Sequence, residues 1–278
     1  LDGKAIRVIE DNADSKATLA GSGVSPVEFM TITTASKVDL NAWMIKPPNF
    51  DESKTYPLFM YVYGGPGSQT VKNGWLGSNY GWFQMLAQQG YVVVSVDNRG
   101  TGARGEKFKK MTYLQLGHYE TIDQIESAQK LGELPYIDAS RIGIFGWSYG
   151  GYMSSLCLFK GAEVFKSAIA VAPVTNWKWY DTIYTERYMR TYQENEEGYE
   201  NNSPVNFTDR LKGNYLLVHG VADDNVHFQN TTEMVNALIA NNKQFDTYFY
   251  PNRNHSIFGG NARLHLYTKM TNFIKANL

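Results

Sequence analysis

The order of apolar and polar residues along the chain switches between two patterns. Short unbroken runs of Val, Ile, Leu, Phe, Met and Tyr are typical of strands buried on both faces, and stretches with apolar residues every three or four positions are typical of covering helices. Strands are predicted at 58–63, 91–96, 141–145, 167–172, 215–219 and 245–250, and helices at 82–89, 119–131, 148–160, 231–240 and 264–276. This alternation predicts an α/β fold with a mostly parallel sheet that helices cover on both sides.

The N-terminal part and one internal segment depart from this alternation. A polar stretch separates the first two of three predicted strands, and a short turn joins the last two as a hairpin; the strands are 4–10, 27–34 and 38–46. We therefore predict a β hairpin region within residues 1–46, and the α/β unit at 47–278. Residues 176–214 are rich in Trp, Tyr, Glu and Asn, and an excursion of this length often carries function.

Composition excludes several kinds of site. With 26 basic and 27 acidic residues the net charge is -1, so neither nucleic acid nor an anionic membrane has electrostatic support as a partner. No apolar run approaches the length of a membrane span. Because Cys157 is the only cysteine, neither an internal disulfide nor a thiolate metal cluster can form. Phosphate-loop and dinucleotide motifs do not occur, and we expect no cofactor.

The pentapeptide Gly146-Trp147-Ser148-Tyr149-Gly150 has the form G-x-S-x-G between a predicted strand and a predicted helix. In that position the motif is typical of the nucleophile elbow of an α/β-hydrolase fold, where glycines permit a sharp turn that exposes the serine. The alternative is a serine that only caps a helix. A strand directly before the motif and a helix directly after it favour the nucleophile elbow over that alternative. Ser148 is therefore the predicted nucleophile.

A serine hydroxyl needs a base and an orienting acid, which in this fold follow it in chain order on loops after later strands. Of the five histidines, His255 alone lies in a loop between a late strand and the last helix, so we predict it as the base. Asp223 and Asp224 both follow the strand 215–219. Position alone leaves both open as the acid.

The tetrahedral intermediate of such a reaction needs donors to its oxyanion. One predicted donor is the backbone N–H of Tyr149, the residue after the nucleophile. The second is expected from the loop that follows the strand 58–63. The hydroxyl of Tyr63 could supply it, although a buried core position is the more ordinary role for such a tyrosine.

With these residues assembled, the sequence resembles the prolyl oligopeptidase family, specifically its dipeptidyl peptidase IV branch. The resemblance covers nearly the whole chain from about residue 50. The matching stretches are VYGGP at 62–66, GWSYGGY at 146–152, APV at 172–174 with Trp177, YTERY at 184–188 and HGVADDNVHFQ at 219–229.

The resemblance implies a serine exopeptidase that releases Xaa-Pro and Xaa-Ala dipeptides from peptide N-termini. It assigns Ser148, Asp223 rather than Asp224, and His255 to the catalytic triad, and the hydroxyl of Tyr63 to the second oxyanion donor. Asn225 matches a residue that binds a substrate carbonyl. The residues that the family uses to line a small S1 pocket for proline correspond to Tyr149, Val174, Trp177, Tyr180, Tyr184 and Val226.

Two departures from the family pattern stand out. Ser256 follows the predicted base where the family usually has glycine, and no pair of glutamates matches the family's clamp for the substrate amino terminus. The family carries that clamp on an upstream β-propeller, of which residues 1–46 are expected to be the last strands and the crossover. Tripeptidyl or acylaminoacyl peptidases of the family, and a non-catalytic binding protein on the same scaffold, are the alternatives. By analogy we also expect a possible homodimer and a periplasmic, cell-envelope or secreted location, with a cytoplasmic one as the alternative.

Overall fold

Eight strands form one sheet in the computed structural model, which describes residues 2–278. The strands are β1 Val27–Thr33, β2 Asp39–Ile45, β3 Tyr56–Val62, β4 Val92–Asp97, β5 Ile137–Trp147, β6 Ser167–Val171, β7 Asn214–Gly220 and β8 Asp246–Tyr250. Their order is β1-β2-β4-β3-β5-β6-β7-β8. β1 with β2 and β2 with β4 are antiparallel, and all other neighbours are parallel. The predicted α/β-hydrolase fold with an N-terminal hairpin is confirmed.

The helices lie between the strands, as the alternating pattern predicts. They are α1 Ala13–Gly21, α2 Tyr80–Gln88, α3 Glu106–Lys110, α4 His118–Gly132, α5 Tyr149–Lys160, α6 Thr182–Met189, α7 Glu196–Glu200, α8 Gln229–Ala240 and α9 Ala262–Asn277. Short 3-10 turns occupy Gly77–Asn79, Trp177–Trp179, Tyr192–Glu194 and Pro204–Arg210. Within residues 2–278, no helix has the length and apolar character needed to cross a bilayer.

Helices cover the sheet on both faces, because successive side chains of a strand point to opposite sides. On β3, Leu58, Met60 and Val62 join one core cluster, which also contains buried residues of α4, α5 and α8. Phe59 joins a second cluster, against which Tyr61 packs, together with buried residues of α2 and α9. Such double burial explains why this strand reads as an unbroken apolar run.

The N-terminal segment differs from its prediction. The strand predicted at 4–10 is wrong, because residues 2–10 form no regular structure and Ile6 and Ile9 are exposed. A strand needs a neighbour to satisfy its backbone groups, and this segment pairs with none in the part of the chain that the structure describes. The polar stretch that follows contains the short, Ala-rich helix α1, a composition that favours helix even without buried contacts.

The predicted hairpin is present as β1 and β2, and it joins the sheet through β4. The sheet therefore extends across the boundary predicted at residues 46 and 47. An origin of residues 1–46 next to an upstream β-propeller stays a prediction. The excursion predicted at 176–214 contains only helices and turns up to residue 213, and β7 begins at Asn214.

The parallel strands place the carboxyl ends of β3, β5, β6, β7 and β8 along one edge of the sheet. Val62 pairs with Gly146, and Trp147 pairs with Val171. Further along, Gly220 pairs with Tyr250. In open α/β sheets this edge is where ligands bind, and the loops that carry Tyr63, Ser148, Asp223 and His255 all leave from it.

Candidate active site

Ser148 occupies the sharp turn between β5 and α5. Its φ of 60° and ψ of -119° lie in a region that residues other than glycine rarely adopt, which is a sign of strain at a functional position. Two backbone bonds hold this conformation, from the Ser148 amide to the Val171 carbonyl at 2.8 Å and from the Tyr152 amide to the Ser148 carbonyl at 3.0 Å. The neighbouring elements thus impose the turn on Ser148, which stays partly exposed.

The glycines of the elbow are required by close backbone contacts. A Cβ atom at Gly146 would lie 2.0 Å from the carbonyl oxygen of Gly150. A Cβ atom at Gly150 would lie 2.2 Å from the carbonyl oxygen of Val62 on β3. Neither glycine has a positive φ. The motif therefore needs glycine for tight packing of helix against strand, and the strained backbone belongs to the serine itself.

The structure places Asp223, and not Asp224, against His255. Oδ2 of Asp223 accepts from Nδ1 of His255 at 2.7 Å. Its other oxygen, Oδ1, accepts from the amides of Asn225 at 2.9 Å and Val226 at 3.0 Å. Asp223 is buried, whereas Asp224 is exposed and lines a neighbouring cleft. The loop conformation after β7 decides which of two adjacent carboxylates faces inward.

Two opposing effects set the pKa of Asp223. Burial alone would raise it, because a charged carboxylate loses water. The pKa is lowered by the hydrogen bonds from His219 and His255 and by the charge of His255. These effects are larger than that of burial, so the pKa lies well below its usual range. The carboxylate stays ionised and can orient an imidazole by accepting its Nδ1–H.

His255 lies in the loop between β8 and α9, where hydrogen bonds join it to Asp223 and to Trp147 of the elbow. Because Asp223 can only accept, Nδ1 of His255 carries the proton and Nε2 is left for Ser148. The carbonyl of His255 accepts from Nε1 of Trp147 at 3.0 Å, which ties its loop to the elbow. Between residues 2 and 278, no hydrogen bond joins the Ser148 hydroxyl to His255, and such bonds are often long before substrate binds.

The two residues predicted to supply the oxyanion donors have neighbouring side chains. The ring centroids of Tyr63 and Tyr149 are 6.1 Å apart, and a Cβ atom at Gly65 would lie 3.0 Å from the ring of Tyr63 and 3.1 Å from that of Tyr149. Tyr63 is 37% exposed, and among the described residues its hydroxyl has no hydrogen-bond partner, so it is available to a ligand. Burial and the neighbouring Tyr188 raise the pKa of Tyr63, which keeps the hydroxyl protonated and able to donate.

The residues predicted to line the S1 pocket form a continuous cluster. Trp177 is buried, and its ring lies 5.4 Å from that of Tyr149, 5.8 Å from Tyr180 and 5.7 Å from Tyr184. Val174 and Val226 are buried in the same core cluster as Trp177. Tilted, edge and stacked contacts of this kind favour a rigid apolar wall.

Asn225 is linked to this cluster by its side chain. Its Oδ1 accepts from the hydroxyl of Tyr180 at 2.8 Å, which leaves the Nδ2 group free to donate. Both residues line a cleft of about 380 Å³ together with Asp181 and Asp224. The predicted carbonyl-binding residue is therefore held in place at the edge of the aromatic cluster.

Two buried groups in the site were not predicted as functional residues. Nε2 of His219 contacts Oδ2 of Asp223 at 3.1 Å, although position along the chain only indicated that His219 was not the base. Oε1 of Glu120 accepts from the hydroxyl of Tyr149 at 2.7 Å. The spacing of His219, four residues before Asp223, is a weak signal. No sequence pattern distinguishes Glu120 from an exposed helical glutamate.

The structure also bears on metal binding. Among residues 2–278, no group of three or more histidine, cysteine, aspartate and glutamate side chains is placed to hold a metal ion.

Comparison with known proteins places these residues in context. The profile described as "Prolyl oligopeptidase family" matches residues 79–278. The Mus musculus protein named Prolyl endopeptidase FAP is 43% identical over 276 residues, which are 97% of this chain and 36% of that protein. The Arthroderma benhamiae protein named Probable dipeptidyl-aminopeptidase B is 49% identical over 256 residues, which are 91% of this chain and 28% of that protein.

A solved structure agrees with both matches. The crystal structure of Porphyromonas gingivalis dipeptidyl peptidase 4 superposes with a TM-score of 0.95 at 49% identity, over 99% of this chain and 39% of that chain. The chain spans about a third of the length of these proteins. A profile match over most of the chain, together with this likeness in sequence and fold, identifies it: the chain belongs to the prolyl oligopeptidase family, in its dipeptidyl peptidase IV branch.

Proposed function

We propose that the protein containing this chain is a serine exopeptidase that releases Xaa-Pro and Xaa-Ala dipeptides from peptide N-termini. The observation that carries the proposal is the pairing of Asp223 with His255 at the sheet edge that also holds the strained Ser148. The relatives named dipeptidyl-aminopeptidase B and dipeptidyl peptidase 4 support the same reaction class.

The first step forms an acyl-enzyme. Nε2 of His255 takes the proton of the Ser148 hydroxyl as Oγ attacks the scissile carbonyl, and Asp223 stabilises the imidazolium without being protonated. The oxyanion accepts from the Tyr149 amide and the Tyr63 hydroxyl. His255 then returns the proton to the leaving amine, and the peptide bond breaks.

The second step releases the dipeptide. Water loses a proton to His255 and attacks the acyl carbon, passing through a second oxyanion in the same site. The bond to Ser148 Oγ breaks as His255 gives that oxygen its proton. No cofactor is needed, because every proton transfer uses His255.

The aromatic cluster would select the substrate residue that precedes the scissile bond. Flat rings at Tyr149, Trp177 and Tyr184 pack well on a pyrrolidine face, while the buried Val174 and Val226 limit the depth available to larger side chains. Asn225 would donate to a substrate carbonyl and set the position of the scissile bond. Proline and, less strongly, alanine are the residues that fit.

Labelling with a fluorophosphonate probe tests the chemistry. The protein should be labelled at Ser148, and Ser148→Ala should abolish the label while leaving the circular dichroism spectrum unchanged. A non-catalytic binding protein on this scaffold would not be labelled. Absence of label on a folded protein would refute the proposed reaction.

The length of substrate that is released needs a second test. Hydrolysis of Gly-Pro and Ala-Ala chromogenic substrates should be compared with that of tripeptidyl and N-acylated analogues. Preference for a free amine two residues from the scissile bond supports the dipeptidyl proposal. Preference for the tripeptidyl or acylated substrate would favour the other types of the family.

The amino-terminus clamp is proposed to lie on an upstream β-propeller of the same polypeptide. An amine held by two carboxylates gains charge-assisted hydrogen bonds, and with them affinity and orientation. If residues 1–278 fold alone, they should cleave Gly-Pro substrates poorly and discriminate little between free and acylated amines. Adding the propeller should raise kcat/KM for the free amine selectively.

A homodimer and a periplasmic, cell-envelope or secreted location are proposed by analogy. Light scattering tests the homodimer, and cell fractionation tests the location.

A further inference from the structure

His219 is a second histidine on the catalytic acid, and the triad leaves it without a role. It lies near the end of β7 and is fully buried. Its Nε2 contacts Oδ2 of Asp223 at 3.1 Å and the carbonyl of Val226 at 2.8 Å. Its Nδ1 contacts Oγ1 of Thr231 on α8 at 2.6 Å. Both ring nitrogens are therefore engaged.

These partners determine which nitrogen of His219 donates. A carboxylate and a carbonyl can only accept, so Nε2 carries a proton shared between Asp223 and Val226. The Thr231 hydroxyl can donate to Nδ1. His219 thus contacts the oxygen of Asp223 that also accepts from His255, and with the same N–H it holds the backbone of Val226 in the S1 cluster.

The other groups around this arrangement are few. The titratable groups that face Asp223 are His219 itself, His255 from the loop after β8 and Tyr180 from the segment after β6. On the α8 side, His219 meets the neutral Thr231 and the ring of Phe228, whose centroid is 5.6 Å away. Asp223 thus accepts side-chain hydrogen bonds from two histidines and from no other side chain among the described residues.

We propose that His219 is a positioning residue, an inference that rests on the proposed function. Its Nε2–H restrains Oδ2 of Asp223 and weakens the interaction of that oxygen with protonated His255. A carboxylate oxygen that already accepts one hydrogen bond stabilises a second donor's positive charge less. His219 therefore keeps His255 available as an unprotonated base at lower pH. Through Val226 it also keeps the acid and the S1 wall in fixed relative positions.

The experiment measures the rate of fluorophosphonate labelling of Ser148 against pH in the full-length protein. This readout depends on the base and not on peptide specificity. In His219→Phe, the acid limb of the profile should move to higher pH by roughly half to one unit, because Asp223 then holds protonated His255 more strongly. His219→Gln, whose amide can reach Asp223, should restore the wild-type limb.

Further variants separate positioning from a loss of packing. The side chain in His219→Asn is polar but too short to reach Asp223, so this variant should shift the acid limb as His219→Phe does. If His219→Phe does not fold, His219→Asn takes its place in the experiment. Thr231→Val removes the contact on the other ring nitrogen and should leave the limb in place.

Two results would overturn the inference. One is an unmoved acid limb in the Asn variant while its labelling rate falls, and the other is an equal shift in Thr231→Val. A wild-type protein that is not labelled at all refutes the proposed function instead, so the two failures are distinguishable.

Discussion

Two buried carboxyl groups contact residues of the candidate site, and their pKa values move in opposite directions. Asp223, in the loop after β7, has a pKa well below its usual range. Glu120, in the first turn of α4, is fully buried and has its pKa raised to about 7. Both groups are removed from water, so burial alone does not separate them.

The number of donors separates them. Asp223 accepts hydrogen bonds from two backbone amides and two imidazoles, which together outweigh the loss of hydration. Burial dominates at Glu120: local backbone groups and the Tyr149 hydroxyl offset only part of it, and Oε2 has no hydrogen-bond partner among the described residues. In the proposed mechanism the first group stays charged and orients His255. The second keeps a proton up to about neutral pH and accepts a hydrogen bond from Tyr149, a residue of the proposed S1 pocket.

The largest expected effect comes from removing the charge of Asp223. Asp223→Asn should lower kcat by about 10⁴, because an amide no longer fixes the donating nitrogen of His255. Asp224→Asn is the matched control, since Asp224 is exposed, and it should change kcat little. Steady-state kinetics on a Gly-Pro substrate measure both. Equal losses in the two variants would contradict the assignment of Asp223.

The next effect compares two neighbouring tyrosines, one free and one bound to Glu120. Tyr63→Phe should lower kcat by roughly 10²–10³, the usual cost of one oxyanion donor, with the fold intact. Tyr149→Phe keeps its backbone amide and loses only the hydrogen bond to Glu120, so it should affect KM more than kcat. A normal kcat in Tyr63→Phe would return that tyrosine to a packing role.

The smallest effect is on stability, and it concerns Glu120. Its pKa is about 7 in the folded chain against an ordinary value of 4.5, so the folded state binds the proton more tightly. The stabilisation from this proton is complete below pH 4.5 and is lost as the pH rises through 7. In Glu120→Gln, which mimics the protonated acid, that loss of roughly 3 kcal/mol between pH 5 and 8 should be absent.

Urea unfolding at pH 5 and pH 8 measures this difference. The wild type should lose more of its free energy of unfolding between the two pH values than the variant does. Parallel losses in the two proteins would mean that Glu120 is ionised, or paired, throughout this range. Asp223→Asn is the control. Asp223 stays charged at both pH values, so this variant should still lose free energy of unfolding between pH 5 and pH 8 as the wild type does.

The sequence by itself determined the α/β alternation, and it pointed to Ser148 and His255 as the proposed nucleophile and base. Each depends on a local pattern: apolar runs that must be buried on both faces, a serine between glycines at a strand-to-helix turn, and a histidine in the loop after the last strand. The glycines of the elbow were recognisable from the G-x-S-x-G motif, and in the structure their close backbone contacts leave no room for a Cβ atom. Local propensity failed at 4–10, where an apolar run has no partner strand.

Only the tertiary structure decided how the polar groups are arranged around these residues. Position along the chain left Asp223 and Asp224 both open, and the family resemblance favoured Asp223. The loop conformation turns Asp223 inward to His255, 32 residues further along the chain. Glu120 is buried because α4 packs on α5, which brings it to Tyr149, 29 residues away. The charge state of a carboxyl group follows from burial and from the number of donors around it. Among those donors, His255 for Asp223 and Tyr149 for Glu120 come from distant segments, which no local pattern encodes.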